Sequence, residues 1–315
     1  MRRNASTAFG GWRNTFTALR ERDYAVYFAG NLAFFLAMQM DQLMRGFFAL
    51  ELTGTAWAIG LVSIANAVPM LLVAPFGGVI ADRYSKKKLL LVTQGAIAVV
   101  NAAFAVMILL DLVQFWHLLI GGVFQGAIFS VAMPVRNALV PQLVPRHKLM
   151  NAVSLQMGGM NLTRIVGPAT AGVLIAPFGL GGAWVMAVGL YVIATLSIVP
   201  LPSHGMVGRG AEGGRMLSEL VGGFRYIGRT PLIRVLLLSA LVMPLFAFPV
   251  QLVLPVFAKE VYNLGPGSLG ILMAAAGLGG LIGTLLTASS TASRTRAASC
   301  CSARCCRGHS SSPLP

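Results

Sequence analysis

The stretch Gly78-Val79-Ile80-Ala81-Asp82-Arg83-Tyr84-Ser85-Lys86-Lys87-Lys88 separates two apolar segments, residues 57–80 and 89–110. Each segment is about as long as the roughly 20 apolar residues that an α-helix needs to cross a bilayer. A short charged stretch between two such segments is typical of a connection at the membrane surface. Residues 78–88 therefore predict two transmembrane helices joined by a tight basic loop.

The whole chain has the composition of a membrane protein. Its 315 residues are 56% hydrophobic and only 10% charged, which excludes an ordinary water-soluble enzyme. Segments long enough to cross a bilayer extend over 26–50, 57–80, 89–110, 113–133, 152–177, 182–201, 232–257 and 267–288. The sequence thus predicts an all-α polytopic membrane protein with eight spans.

Basic residues occupy alternate connections and give the chain a net charge of +15. They are Arg2, Arg3, Arg13, Arg20 and Arg22, then Arg83 and Lys86 to Lys88, then Arg136, Arg146 and Lys148, then Arg209, Arg215, Arg225 and Arg229. The intervening connections contain only Lys259. Because Lys and Arg concentrate on the cytoplasmic side, both termini are expected in the cytoplasm, with the chain in the inner membrane. The charge indicates topology and not nucleic-acid binding.

Residues 78–88 resemble the signature loop of the major facilitator superfamily, G-x-x-x-D-R-x-G-x-K-K. The matching positions are Gly78, Asp82, Arg83, Lys87 and Lys88, whereas Ser85 stands where the family usually has glycine. Residues 52–56, 134–145 and 161–172 are similar to the multidrug and enterobactin exporter branch. The resemblance implies a major facilitator fold with a complete six-helix N-terminal bundle and, over residues 231–288, an incomplete C-terminal bundle. It also implies alternating access.

The signature loop has a physical interpretation of its own. Asp82 can meet the positive amino end of a neighbouring helix, while Arg83 and the lysines can hold acidic partners or anionic lipid. Such contacts would latch one conformation. Arg136, at the end of the fourth span, either joins this latch or only follows the positive-inside rule. A basic stop that fixes topology is the alternative for the whole loop.

Charged residues inside the spans are candidates for coupling or substrate binding. Asp41 and Arg45 lie four residues apart on one helix face and can neutralise each other, either as a protonatable site or as a structural pair. Arg164 has no acid at helical spacing, so a buried Arg164 needs a partner from another helix, such as Asp41. Interhelical locking, substrate contact and snorkelling to the cytoplasmic edge are the alternatives for Arg164. Gln125 belongs to a stretch similar to the fourth-helix motif of proton-linked relatives, although Gly122 stands where that motif has arginine.

Small residues suggest a bend or close packing in the fifth span. Gly167, Pro168 and Gly172 resemble part of the antiporter motif of this span, with Ala171 replacing the first glycine of its closing pair. They would allow a helix bend and close helix approach.

The organisation along the chain follows from these features. We expect an amphipathic cytoplasmic segment over 1–24, the six-helix bundle over 25–202, a linker with a surface helix over 203–230, spans seven and eight over 231–288, and a basic tail over 289–315. The tail contains all four cysteines and follows the point where a ninth span is expected, so a truncation or a shifted reading frame is one explanation and a disordered tail the other.

The predicted function is export of small amphipathic organic molecules, such as a drug or siderophore, coupled to protons or another ion. Expected partners are this substrate and membrane lipid. The alternative is a non-transporting fragment or subunit that needs a partner chain. No cofactor or metal is expected, and no catalytic constellation indicates an enzyme.

Overall fold

A computed structural model describes residues 17–201 and the single residue Val235. Five long helices dominate this part of the chain: α1 (Arg22–Thr53), α2 (Ala56–Arg83), α3 (Lys86–Leu109), α4 (Phe115–Leu143) and α5 (Leu149–Leu196). Short 3₁₀ helices precede α1 (Thr17–Arg20) and α5 (Arg146–Lys148). The described residues confirm the all-α prediction. Spans seven and eight and the cysteine-rich tail lie outside them.

The helix ends follow from local sequence. Gly54 ends α1 with a left-handed backbone (φ 65°), and its N–H donates to Leu50 O at 2.9 Å. Ser85 caps α3, since its hydroxyl oxygen accepts a hydrogen bond from Lys88 N at 3.3 Å. Ser85 has φ −60°, so this position does not require the glycine that the family usually has there.

Helix α4 extends ten residues beyond residue 133, where the predicted fourth span ended. Pro134 and Pro141 both lie inside α4, and the helix continues to Leu143. Arg136 lies in this extension and is fully buried. The helix passes the expected end because the bundle accommodates the charge of Arg136 in its interior.

The chain reverses direction within α5. Near its start, Ala152 O accepts a hydrogen bond from Tyr24 OH at 2.7 Å, and beyond its end Val199 O accepts one from Lys87 Nζ at 2.7 Å. Tyr24 and Lys87 lie at the starts of α1 and α3, so both ends of α5 lie on the same side of the bundle. Gly179 is the residue of α5 with non-helical angles (φ 68°, ψ −179°), which essentially only glycine adopts. It lies between the segments predicted as spans five and six.

We call the side with the loop at residues 84–85 the signature end, and the side with Gly54 and Gly179 the far end. The most extensive contacts join α1 to α5 and α2 to α4, while α3 packs on α4 and α5. The interior is apolar at both ends, with Met40, Met44 and Leu118 towards the far end and Leu90 and Leu139 towards the signature end.

The segment before α1 is docked on the bundle. Lys148 Nζ forms an ion pair with Glu21 Oε1 at 2.7 Å. The hydrogen bond from Tyr24 to Ala152 is buried, and burial raises the pKa of Tyr24 to about 12, so its hydroxyl remains a donor at neutral pH. Residues 17–24 therefore hold the start of α5, which adds a structural role to the surface segment predicted there.

Four stretches of the described residues are long and apolar enough to cross a membrane: Trp57–Gly78, Lys86–Leu109, Phe115–Leu143 and Arg146–Leu196. Helix α1 is outside this set because it carries more polar residues, among them Asn31, Asp41 and Arg45. Those three side chains are buried inside the bundle. Apolar side chains such as Leu71 and Leu72 cover the outer surface instead.

Candidate functional site

Asp41 and Arg45 form a buried ion pair on α1. Arg45 Nε donates to Asp41 Oδ1 at 2.9 Å, and the two residues are only 5% and 1% exposed, respectively. The other carboxylate oxygen, Asp41 Oδ2, accepts a hydrogen bond from Gln125 Nε2 of α4 at 2.7 Å. The structure thus brings together three of the residues that the sequence singled out for coupling or substrate binding.

The network continues to α3 and α5 through residues that sequence reasoning missed. Asn101 Oδ1 accepts from Arg45 Nη2 at 3.4 Å and from Trp184 Nε1 at 3.3 Å. The Arg45 guanidinium lies 5.1 Å from the centre of the Phe104 ring and 6.0 Å from that of Trp184. Asn101 was detectable in principle, since an amide within an apolar span needs a polar partner.

Trp184 corrects an expectation about the membrane interface. Trp57, Trp116 and Trp184 are each expected at the outer end of a span, where indole rings favour the interface. Trp57 and Trp116 are exposed, but Trp184 is fully buried. Its N–H is satisfied by Asn101, so it belongs to the core and not to an interfacial belt.

Two polar atoms of this network have no hydrogen-bond partner among the described residues, Arg45 Nη1 and Gln125 Oε1. Gly121 of α4 lies next to the first of them: a Cβ there would lie 3.1 Å from Arg45 Nη1 and 2.5 Å from Phe104 Cζ. Only glycine therefore leaves room for this packing. The network thus combines a charge pair with one donor and one acceptor that have no partner among the described residues.

Arg136 is the centre of a second buried cluster, nearer the signature end. Its guanidinium donates to Asn31 Oδ1 and, with the amide oriented to satisfy both neighbours, to the side-chain oxygen of Gln94. It also lies 3.7 Å from the centre of the Phe34 ring. These partners are neutral, so Arg136 differs from the membrane-edge cation expected from the sequence.

Arg164 is exposed on α5, and no ion pair connects it to another described residue. Asp41, the partner proposed for it, is already occupied by Arg45 and Gln125. Arg164 therefore forms no interhelical lock with Asp41. Substrate contact and snorkelling of Arg164 stay predictions.

The small residues of α5 act in close packing. Gly167, Pro168 and Gly172 are all buried. A Cβ at Gly167 would overlap the side chain of Gln39 on α1, so glycine permits close approach of the two helices. The break in helical angles lies at Gly179 and not within residues 167–172.

In the signature loop, Asp82 and Arg83 are the last residues of α2. Lys87 Nζ donates to Val199 O at 2.7 Å and also to the carbonyl of Leu201. Lys87 thus binds backbone carbonyls beyond the end of α5. Contact of the loop with an acidic partner or with lipid stays a prediction. Lys88 is exposed, and Gly78 is partly buried with open space where a side chain would lie.

No group of His, Cys, Asp and Glu residues suited to a metal ion occurs within residues 17–201. Ion pairing and hydrogen bonds connect the buried polar residues described above.

Sequence matches agree with this architecture. Residues 13–299 match the family described as "Transmembrane secretion effector". The chain is 27% identical over 261 residues to the staphyloferrin A transporter of Staphylococcus aureus (strain NCTC 8325 / PS 47), covering 82% of this chain and 65% of that protein. It is 28% identical over 235 residues to the enterobactin exporter EntS of Shigella boydii serotype 18, covering 74% and 55%.

A solved structure shares the fold. The crystal structure of a bacterial homologue of the human lysosomal transporter Spinster, inward-facing and unoccupied, has a TM-score of 0.62 to this chain at 15% identity. The match covers 84% of this chain and 62% of that one.

The fold and these matches define a multi-pass membrane protein of the major facilitator superfamily, which confirms the resemblance drawn from residues 78–88. The chain belongs to the transmembrane secretion effector family of transporters. It spans between 55% and 65% of the length of the two curated relatives given above.

Proposed function

We propose that this protein exports small amphipathic organic molecules from the cytoplasm by alternating access. The family match over residues 13–299 carries the proposal. Two relatives, a staphyloferrin A transporter and an enterobactin exporter, favour a siderophore-like substrate. In this proposal residues 25–202 form a six-span bundle that rocks as one body in the inner membrane, with both termini in the cytoplasm. The chain reversal at Gly179 supports the sixth span.

Within this proposal, Asp41 is the coupling group. It lies inside the bundle, where Arg45 and Gln125 contact its two oxygens. A change in its charge would therefore act on the packing of α1 against α4, and not directly on a substrate. Energetic coupling requires such a differential contact between two conformations. Protons are the proposed coupling ion.

The signature loop is proposed as a conformational latch. Asp82 and Arg83 end α2 at the face where Lys87 holds the carbonyls beyond α5. The exposed Lys88 is available to anionic lipid at the same face.

The test is transport in proteoliposomes with an imposed pH gradient. Citrate-type and catechol-type siderophores serve as labelled substrates, and Asp41→Asn is compared with Asp111→Asn, an exposed acid at the far end. We expect Asp41→Asn to abolish gradient-driven accumulation while downhill exchange persists, and Asp111→Asn to retain both. Undiminished accumulation in Asp41→Asn would refute coupling through this residue. Failure of every substrate to bind or move would refute the proposed substrate class.

A further inference from the structure

The side-chain oxygen of Asn101 connects two parts of the bundle. It accepts one hydrogen bond from Arg45 on α1 and another from Trp184 on α5. The Asn101 amide nitrogen is fixed by its own helix, because it donates to Ile97 O at 2.9 Å. A carbonyl oxygen has two lone pairs, so these two donors fill its capacity. Arg45 and Trp184 therefore depend on the same acceptor.

Aromatic contacts tie Trp184 to the same cation. The Phe104 and Trp184 rings are stacked, with centres 6.0 Å apart and planes at 22°. The Arg45 guanidinium lies near both rings, and such contacts contribute more when they are desolvated. A shift of the guanidinium would change the hydrogen bond and the ring contacts of Trp184 together.

Trp184 lies five residues after Gly179, where the chain reverses. The backbone angles of Gly179 are restricted to glycine, so this reversal is a specific feature of the fold. Trp184 is fully buried in the segment that returns to the signature end. Its position is suited to pass a change at Arg45 to that segment.

We propose that Asn101 and Trp184 are positioning residues that carry the charge state of the Asp41–Arg45 pair to the second half of α5. When Asp41 is neutral, Arg45 loses its charged acceptor, and Asn101 Oδ1 is the remaining described oxygen that it contacts. Arg45 then shifts towards this oxygen, which changes its contacts with the Trp184 side chain that donates to the same oxygen. The proposal rests on the proposed coupling through Asp41 and gives that coupling a route to the helix that reverses at Gly179.

Charged and polar groups from four helices surround the Asp41–Arg45 pair. On α5, Tyr191 interacts electrostatically with Asp41, Arg45 and Arg136. Gln125 from α4 and Asn101 from α3 are neutral amides. Asp41 is the carboxylate among these groups, so its substitution tests the proposal.

Tryptophan fluorescence of the full chain in liposomes tests this link without requiring transport. Replacing Trp12, Trp57 and Trp116 by Phe leaves Trp184 as the one tryptophan of the chain. We expect its emission maximum to shift between acid and alkaline pH. The shift should disappear in Asp41→Asn and in Asn101→Leu. It should persist in Thr93→Val, a control on α3 whose hydroxyl, among the described residues, donates to the carbonyls of Leu89 and Leu90 in its own helix.

A second variant guards against a failure of Asp41→Asn to fold. The double variant Asp41→Asn/Arg45→Met removes both charges, and it should also show a constant emission maximum. A shift that persists in Asn101→Leu or in the double variant would overturn the proposal, as would a parent protein without any shift.

The outcome is separable from that of the proposed function. If Trp184 responds as expected but no gradient-driven export occurs, the link stands and the coupled-export proposal fails. If export is driven by pH while Trp184 does not respond, the link fails and the export proposal stands.

Discussion

Removing one charge of the Asp41–Arg45 pair should destabilise the protein more than removing both. The two groups are 2.9 Å apart and almost fully buried. At an effective dielectric constant of about 20, charges about 4 Å apart attract by about 4 kcal/mol. Breaking such a buried pair costs roughly 3–5 kcal/mol, because the remaining charge stays buried without its partner. We expect this cost for Arg45→Met.

The single change Asp41→Asn should lower the free energy of unfolding by about 2–4 kcal/mol, somewhat less than Arg45→Met. The reason is that Asn101 and two aromatic rings still contact Arg45. In the double variant the new amide can still pair with Gln125, so we expect a cost of about 1–2 kcal/mol. The four proteins thus predict a coupling free energy of about 3–8 kcal/mol between the two sites.

Reversible unfolding in mixed micelles, followed by tryptophan fluorescence, measures the free energy of unfolding of all four proteins. The matched control is the partly exposed pair Glu21–Lys148, whose charged atoms are 2.7 Å apart. For this pair we expect a coupling of at most about 1 kcal/mol. A coupling below about 0.5 kcal/mol for Asp41 and Arg45 would show that the pair contributes no more than a surface pair, and would refute the reasoning.

Three further changes test the packing. In the same unfolding assay, Gly121→Ala should lower the free energy of unfolding by about 1–3 kcal/mol, because the added methyl group overlaps the Phe104 ring of α3. Gly95→Ala should not lower it, because open space surrounds the position of the added methyl group. Gly179→Ala should cost about 1–3 kcal/mol because of its backbone angles, and an unchanged stability would contradict the chain reversal there. Arg136→Lys should lower the free energy of unfolding by about 1–3 kcal/mol, because hydrogen bonds of the buried guanidinium are lost. Arg164→Lys should change it by less than about 0.5 kcal/mol, because Arg164 is exposed. Equal effects of the two substitutions would contradict this difference in burial.

Sequence reasoning located most of the helices because a bilayer imposes a length and a composition on each span. The segments predicted over 57–80 and 89–110 correspond closely to α2 and α3. The pattern of Asp82, Arg83 and the lysines identified the superfamily, which the family match confirms. The end of the fourth span was misplaced because proline and arginine are ordinarily signals that a span has ended.

The composition of the candidate site was harder to predict. Asp41 and Arg45 share one helix face through their spacing, so their proximity follows from local geometry. Asn101 and Trp184 are separated by 83 residues, and only the packing of α3 against α5 brings them together. No local pattern records such a contact.

The sequence by itself thus determined the helical class, the approximate positions of the helices within residues 17–201, the superfamily and the local Asp41–Arg45 pair. The tertiary structure decided which polar residues face inward: it buries Arg136 among neutral partners, exposes Arg164 and places Trp184 in the core. The physical reason is that transmembrane helices are apolar on all sides, so their periodicity does not mark the interior face. The interior face is set by close packing and by hydrogen bonds between helices.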